Sequence, residues 1–242
     1  MCTPREDGFA VDENRILCAA RGATAVTPEG AGYAVAMTSS VNRPLRALGL
    51  VCTLKPSPAE SSSSVITEQV FGHLRDGGVE CESLRVVDYA VAPGTDADMG
   101  DGDQWPMILD KIVAADILVV STPTWVGHMS SVAQRVLERL DAELSETDDA
   151  GRPRQVGKVA LATVVGNEDG AHKIVADLFQ ALNDIGYTIP AQGCTYWNDQ
   201  AMGGTDYKDL DETPEAVESA TASAARNALH LAKMLRDNPY PA

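Results

Sequence analysis

Three short stretches of this chain hold residue types suited to gripping a phosphorylated, planar ligand. The first, TLKPSPAESSSSV (53–65), places Lys55 and a run of hydroxyls that includes Ser62 and Ser64 just ahead of a helix-like segment. Hydroxyls and the unpaired amides of a helix's first turn suit a phosphate dianion, and Lys55 adds positive charge. The same run also reads as ordinary helix caps and a flexible turn. It matches neither G-x-x-x-x-G-K-[ST] nor G-x-G-x-x-G, which argues against a nucleoside triphosphate or a dinucleotide on this loop.

The second stretch, DILVVSTPTWVGHMS (116–130), begins with the apolar run Ile117 to Val120, the pattern of a strand covered on both faces. It then enters a turn where Pro123 fixes its own φ, Gly127 permits angles that other residues avoid, and Trp125 lies between them. Trp125 can stack on a planar ring while backbone groups around Val126 and Gly127 reach its polar atoms; the competing reading packs the indole against its own fold. The third stretch, VVGNEDGAHK (164–173), has Gly166 and Gly170, where backbone can approach a ligand closely. It also reads as an acidic turn in which Asn167, Glu168 or Asp169 caps the next helix. His128 and His172 fall nearby, and an imidazole can position a substrate or donate a proton near neutral pH.

These stretches need a frame, and from Leu45 onward the sequence supplies one by alternation. Strand-like runs at 45–53, 80–91, 116–120, 157–165 and 187–197 are separated by helix-like runs at 64–76, 105–115, 131–144 and 171–186. A last helix runs to about Arg236, with Thr213 as N-cap, Pro214 as first helical residue, and a face of Ala220, Ala224, Ala228 and Leu231. Repeated βα units imply an α/β fold with a parallel sheet and right-handed crossovers, helices lying on both faces. Ligands then collect beyond the carboxyl ends of the strands, so all three stretches belong to one edge. Residues 1–44 stand outside this rhythm and read as an N-terminal extension, either an ordered arm or a segment upstream of an alternative start at Met37. Residues 45–242 read as one domain.

Composition narrows the partners. A formal charge of −16 with 44% hydrophobic residues describes a globular chain with neither a general nucleic-acid surface nor affinity for anionic lipid. A phosphate must therefore find local cations, for which Lys55, Arg135, Arg139, Lys158 and Lys173 are the candidates. The five cysteines are scattered and never form C-x-x-C, so no metal site or disulfide framework is expected and a reducing, cytoplasmic location is the simpler reading. No run reaches the roughly 20 apolar residues that cross a bilayer, and the first residues lack the order of a signal peptide.

Over about 46–236 the sequence resembles the flavodoxin-like NAD(P)H-dependent FMN reductases, including their quinone-reducing branch. The family's G-S-x-R phosphate loop closed by S-x-T is matched by Cys52, Thr53, Leu54 and Lys55, then Ser62, Ser63 and Ser64, with Cys for Gly and Lys for Arg. Its P-x-Y-W-G-x-M-S loop is matched by Pro123, Thr124, Trp125, Val126, Gly127, His128, Met129 and Ser130, and L-D-R by Leu137, Glu138 and Arg139. The glycine-bearing turn beside the flavin corresponds to Val165, Gly166, Asn167 and on to Gly170, and TYWNDQAMGGTDYKDLDETPE is similar to the tail of bacterial members. The loop after strand two has no cysteine, so the iron–sulfur cluster of some relatives is not expected.

The resemblance implies a doubly wound five-stranded sheet of order 2-1-3-4-5, FMN as cofactor, and NADPH or NADH as transient hydride donor. It also implies a small electron acceptor such as a quinone, flavin, nitro or azo compound, and a homodimer or homotetramer. Two other functions fit the same scaffold: a flavodoxin-type electron carrier serving a protein partner, and a flavin-free interaction protein.

Overall fold

In the computed structural model, which describes residues 43–149, 151–199 and 202–241, the alternation resolves into a sheet with helices on both faces. The expectation for an N-terminal extension falls, up to residue 42, outside the described residues. The strands are β1 (Arg46–Val51), β2 (Glu80–Arg85), β3 (Ile117–Trp125), β4 (His128–Met129), β5 (Val159–Val165) and β6 (Cys194–Trp197). The helices are α1 (Ser62–Asp76), α2 (Trp105–Ala114), α3 (Ser131–Leu140), α4 (Ala171–Ile185) and α5 (Glu215–Asp237).

Five strands pair in parallel in the order β2-β1-β3-β5-β6, which is the flavodoxin-like arrangement. The sheet has six strands, not the five expected, because β3 continues past Val120 to Trp125 and folds back on itself. β4 pairs antiparallel to its end, with Thr124 opposite Met129 and Trp125 opposite His128. Between them Val126 and Gly127 have φ of 52° and 72°, positive at both central positions as in the primed two-residue hairpin turns. A β-branched residue is strained there, by about 1–3 kcal/mol.

Strand pleating sorts the apolar residues into two layers. Leu118 and Val120 of β3, with Ala160, Ala162 and Val164 of β5, face Trp105 and Ile108 of α2, Val136 of α3 and Leu178 of α4. Ile117 and Val119, with Val159 and Leu161, face Phe71 and Leu74 of α1 and the alanines 224, 225, 228 and 232 of α5. Small residues on α5 let it lie close to the sheet. Gly49 does the same for α1, since an added Cβ would meet Phe71 Cζ at 2.8 Å and Thr67 Cγ2 at 2.7 Å.

Three boundaries differ from expectation. β2 stops at Arg85, where a 3-10 turn over Val86–Asp88 takes over. The last strand is short because Pro190 has no amide to give the ladder and Gln192 adopts φ 55°, leaving Thr188 as an isolated bridge to Val159. Pro214, not Thr213, is the cap of α5, and the Thr213 hydroxyl instead accepts from Gln69 Nε2 on α1 at 2.7 Å.

Candidate functional site

At the carboxyl edge of the sheet the three chemical stretches meet. Thr53, Lys55, Ser62, Pro123, Thr124, Trp125, Val165, Gly166 and Asn167 line one cleft, so Ser62, Trp125 and Gly166, which are far apart in sequence, share a single site. Each loop is held by a specific contact. Ser61 caps α1, its Oγ accepting from the Ser64 amide at 3.3 Å. The amides of Ser62 and Ser63 lie in the first turn of α1, which has no carbonyls four residues back to receive them.

The second and third loops are fitted to each other through glycines. A Cβ on Gly170 (φ 136°) would come within 2.8 Å of Gly127 Cα, and one on Gly166 would come within 2.9 Å of Thr124 Cβ. Only glycine permits either approach. Gly170 also occupies the N-cap position of α4 without a side-chain cap, so the expected capping by Asn167, Glu168 or Asp169 does not occur. Asp169 Oδ1 accepts from the adjacent Gly170 amide instead, at 2.7 Å.

Other expected residues lie elsewhere. The Ser64 side chain leaves the cleft and accepts from Arg85 Nη2 at 3.2 Å; Arg85 braces the outside of the same loop through the carbonyls of Lys55 and Ala59. Val126, Gly127 and Gly170 form the hairpin tip and its support, and the exposed His128 stands opposite Trp125 on the hairpin. His172 Nε2 is hydrogen-bonded to the Tyr196 hydroxyl at 2.7 Å.

Of the five cations nominated for a phosphate, only Lys55 lines the cleft. Arg135 Nη1 donates to the Val91 carbonyl and Lys173 pairs with Asp177. Lys158 lies at the opposite edge, where its ammonium donates to the Val113 carbonyl at 2.6 Å and burial pulls its pKa down to about 8. Arg139 is fully buried. Its guanidinium pairs with Asp103 at 2.7 Å, donates to the carbonyls of Ala92 and Asp96, and sits 5.5 Å over the Trp105 ring.

The structure adds a wall that the sequence reading left without a role. Trp197, which ends β6, and Asp206, Tyr207 and Lys208 from the segment after it line the cleft with Glu60 and Leu54. The segment is tied down at several points. Trp197 O accepts from the Gly166 amide at 2.9 Å, the Lys208 amide donates to Ser62 Oγ at 3.3 Å, and the Tyr207 hydroxyl donates to Gln69 Oε1 at 2.6 Å. The rule that ligands collect beyond strand ends applied equally to the end of this last strand, where aromatics and a lysine follow Trp197.

These residues fit a flavin mononucleotide. Thr124, only 4% exposed, lines the cleft, and its buried hydroxyl has no hydrogen-bond partner among the described residues, the condition of a group awaiting a polar ligand atom. Trp125 is half-exposed, Gly166 lets the third loop lie against Thr124 in the cleft wall, and Lys55 lines the cleft together with Ser62 and Ser63 of the first turn of α1.

Comparison with known proteins agrees with this geometry. Residues 45–202 match the family model described as NADPH-dependent FMN reductase. The chain is 36% identical over 199 residues to a Mycobacterium bovis protein named divalent metal cation transporter MntH; the match covers 79% of this chain but spans only 29% of that relative. It is 31% identical over 206 residues to 8-demethyl-8-aminoriboflavin-5'-phosphate synthase of Streptomyces davaonensis, covering 81% and 80% of the two chains. Among solved structures, RosB with the bound intermediate 8-demethyl-8-formylriboflavin-5'-phosphate superimposes with a TM-score of 0.74 at 31% identity, covering 81% of this chain and 82% of that one. The chain belongs to the NADPH-dependent FMN reductase family, flavoproteins of flavodoxin-like fold whose cofactor is FMN.

Proposed function

We propose that this protein is an FMN-dependent oxidoreductase that takes hydride from NADPH or NADH and reduces a small acceptor such as a quinone, a flavin, or a nitro or azo compound. The observation that carries this reading is the shared cleft of Ser62, Trp125 and Gly166 at the carboxyl edge of the sheet. Bound FMN supplies the hydride acceptor and the electron store.

What the chain contributes is placement. Lys55, Ser62 and the first-turn amides of α1 would hold the phosphate, and Trp125 would pack on the ring. Thr53, Pro123 and Val165 shape the pocket, while Thr124, Gly166 and Asn167 bring polar atoms to its edge; Val126, Gly127, His128 and Gly170 keep the hairpin and the third loop in register. Backbone amides of the second and third loops, apart from those of Gly166 and Gly170 that Trp197 O and Asp169 Oδ1 hold, would be the donors toward a reduced ring. Among the described residues the titratable side chains that line the cleft are Lys55, Glu60, Asp206, Tyr207 and Lys208.

Further parts of the reading follow the family likeness: residues 45–242 as the FMN-binding domain and a homodimer or homotetramer as the working assembly. A cytoplasmic location is supported by Cys52, Cys81 and Cys194, which are free thiols. Among the described residues no helix is long and apolar enough to cross a membrane.

Anaerobic stopped-flow mixing of the flavin-loaded protein with NADPH and with NADH tests the proposal. Bleaching of the flavin by either nucleotide, followed by recovery on adding a quinone, is the expected result. No bleaching by either, alongside reduction by a ferredoxin reductase, would replace the enzyme with an electron carrier.

A further inference from the structure

We propose that Lys208 is the residue that selects the phosphorylated flavin, its ammonium shared between Asp209 and the cofactor's 5'-phosphate. The inference rests on the FMN reading above and goes further in naming what separates FMN from riboflavin.

Position is the first ground. The Lys208 amide donates to Ser62 Oγ at 3.3 Å, which ties its backbone to the first turn of α1, and its Nζ lies 4.0 Å from Glu60 Oε2, two residues before that helix. It lines the same cleft as Lys55 and Thr124. The neighbouring Tyr207 fixes that placement, being 3% exposed, tilted against Trp197 at 5.4 Å and hydrogen-bonded to Gln69. With its backbone anchored and its side chain only 19% exposed, Lys208 needs little reordering to reach a ligand in the cleft.

Charge is the second ground. On a chain of net charge −16 a dianion requires local cations, and the arginines and lysines on α3, α4 and β5's approach are committed elsewhere. Around Lys208 Nζ stand three carboxylates, Asp209 at 2.6 Å and Glu60 and Asp206 each at 4.0 Å. The Asp209 pair joins neighbouring residues and its carboxylate is half-exposed, a hold that a dianion backed by helix amides can outcompete. Lys208 thus contacts the phosphate and also screens it from Glu60 and Asp206; without it, those acids face the dianion directly.

Titration of the flavin-stripped full-length protein with FMN and with riboflavin, read by flavin fluorescence quenching, tests this. We expect Lys208→Met to weaken FMN binding about 10- to 100-fold while riboflavin changes less than about twofold. Lys208→Arg should restore the preference, and Lys208→Gln serves if the Met variant fails to fold. Asp209→Asn should strengthen FMN binding several-fold, a gain that is clearly smaller in the Lys208→Met background, where only the repulsion from Asp209 is relieved. Equal losses for both flavins, or no loss, would overturn the role of Lys208, and an undiminished Asp209→Asn gain in that background would overturn the sharing. Wild-type protein that binds neither flavin would instead overturn the FMN reading itself.

Discussion

Ser130 Oγ donates to the Cys52 carbonyl across 2.6 Å and accepts from the Ala133 amide at 3.1 Å, so one hydroxyl joins the end of β1 to the start of α3. Its own amide donates to Thr122 Oγ1 at 3.0 Å. All of this is buried, and it fixes where the loop after β1 leaves the sheet relative to the hairpin that carries Trp125. Ser130→Ala removes a helix cap and leaves a buried carbonyl unpaired, at a cost of about 1–3 kcal/mol. Urea unfolding measures the cost, and FMN affinity should fall with it because the two loops lose their common anchor. A variant as stable as the parent would show that the hydroxyl is not a strut.

Gly170 against Gly127 is the corresponding contact between the second and third loops. Gly170→Ala must accept φ 136° and place a Cβ 2.8 Å from the Gly127 carbonyl oxygen, so the hairpin tip has to move. We expect a loss of stability of about 1–3 kcal/mol and weaker FMN binding. Gly100→Ala is the control, since it shares a positive φ of 100° but opens onto free space. If both substitutions weaken FMN equally, the hairpin contact is irrelevant to the site.

Ser62 and Ser64 look alike in the sequence and part company in the structure. Ser62 lines the cleft, whereas Ser64 faces Arg85 on the outer side of α1. Ser62→Ala is therefore expected to lower FMN affinity about three- to tenfold with little change for riboflavin, in line with the loss of one hydrogen bond to a charged group. Ser64→Ala should leave both flavins within about twofold. Isothermal titration with each flavin decides it, and a larger effect from Ser64 would reverse the assignment.

How much of this was legible beforehand depends on the range of the interaction. Val159–Val165 and Ile117–Val120 are buried along their whole length, so their composition alone marked them as central strands. The alanines of α5 likewise announced a close-packed face. The hairpin was not legible, because Val126 opposes its own backbone preference and the neighbouring Gly127 is packed by Gly170 from another loop. Nor was the wall of Tyr207 and Lys208, which reaches Ser62 across 146 residues. For the cations, sequence showed charge without partner: Arg139 and Lys158 are strong positive groups whose ligands are carbonyls and a carboxylate that only folding brings near.

The buried pair of Asp103 and Arg139 yields the last prediction, which concerns pH. Both side chains are within 1% of full burial, and Asp103 also accepts from the amides of Met99, Trp105 and Ala92, so it closes the 92–104 loop under α3. The Arg139 guanidinium holds the carboxyl well below the usual carboxylate range. An unfolded aspartate titrates near about 3.9, so between that value and the folded one the unfolded chain carries more protons and stability rises with pH. The pair's contribution is thus complete above about pH 5 and is lost as pH falls through the folded value. Asp103→Asn leaves Arg139 buried and uncompensated, which should cost about 3–5 kcal/mol at pH 7. Because the variant lacks the titrating group, its deficit should narrow below about pH 4. Urea melts at pH 7 and pH 3 test both parts; a deficit of equal size at the two pH values would mean that the carboxylate's charge is not what secures the loop.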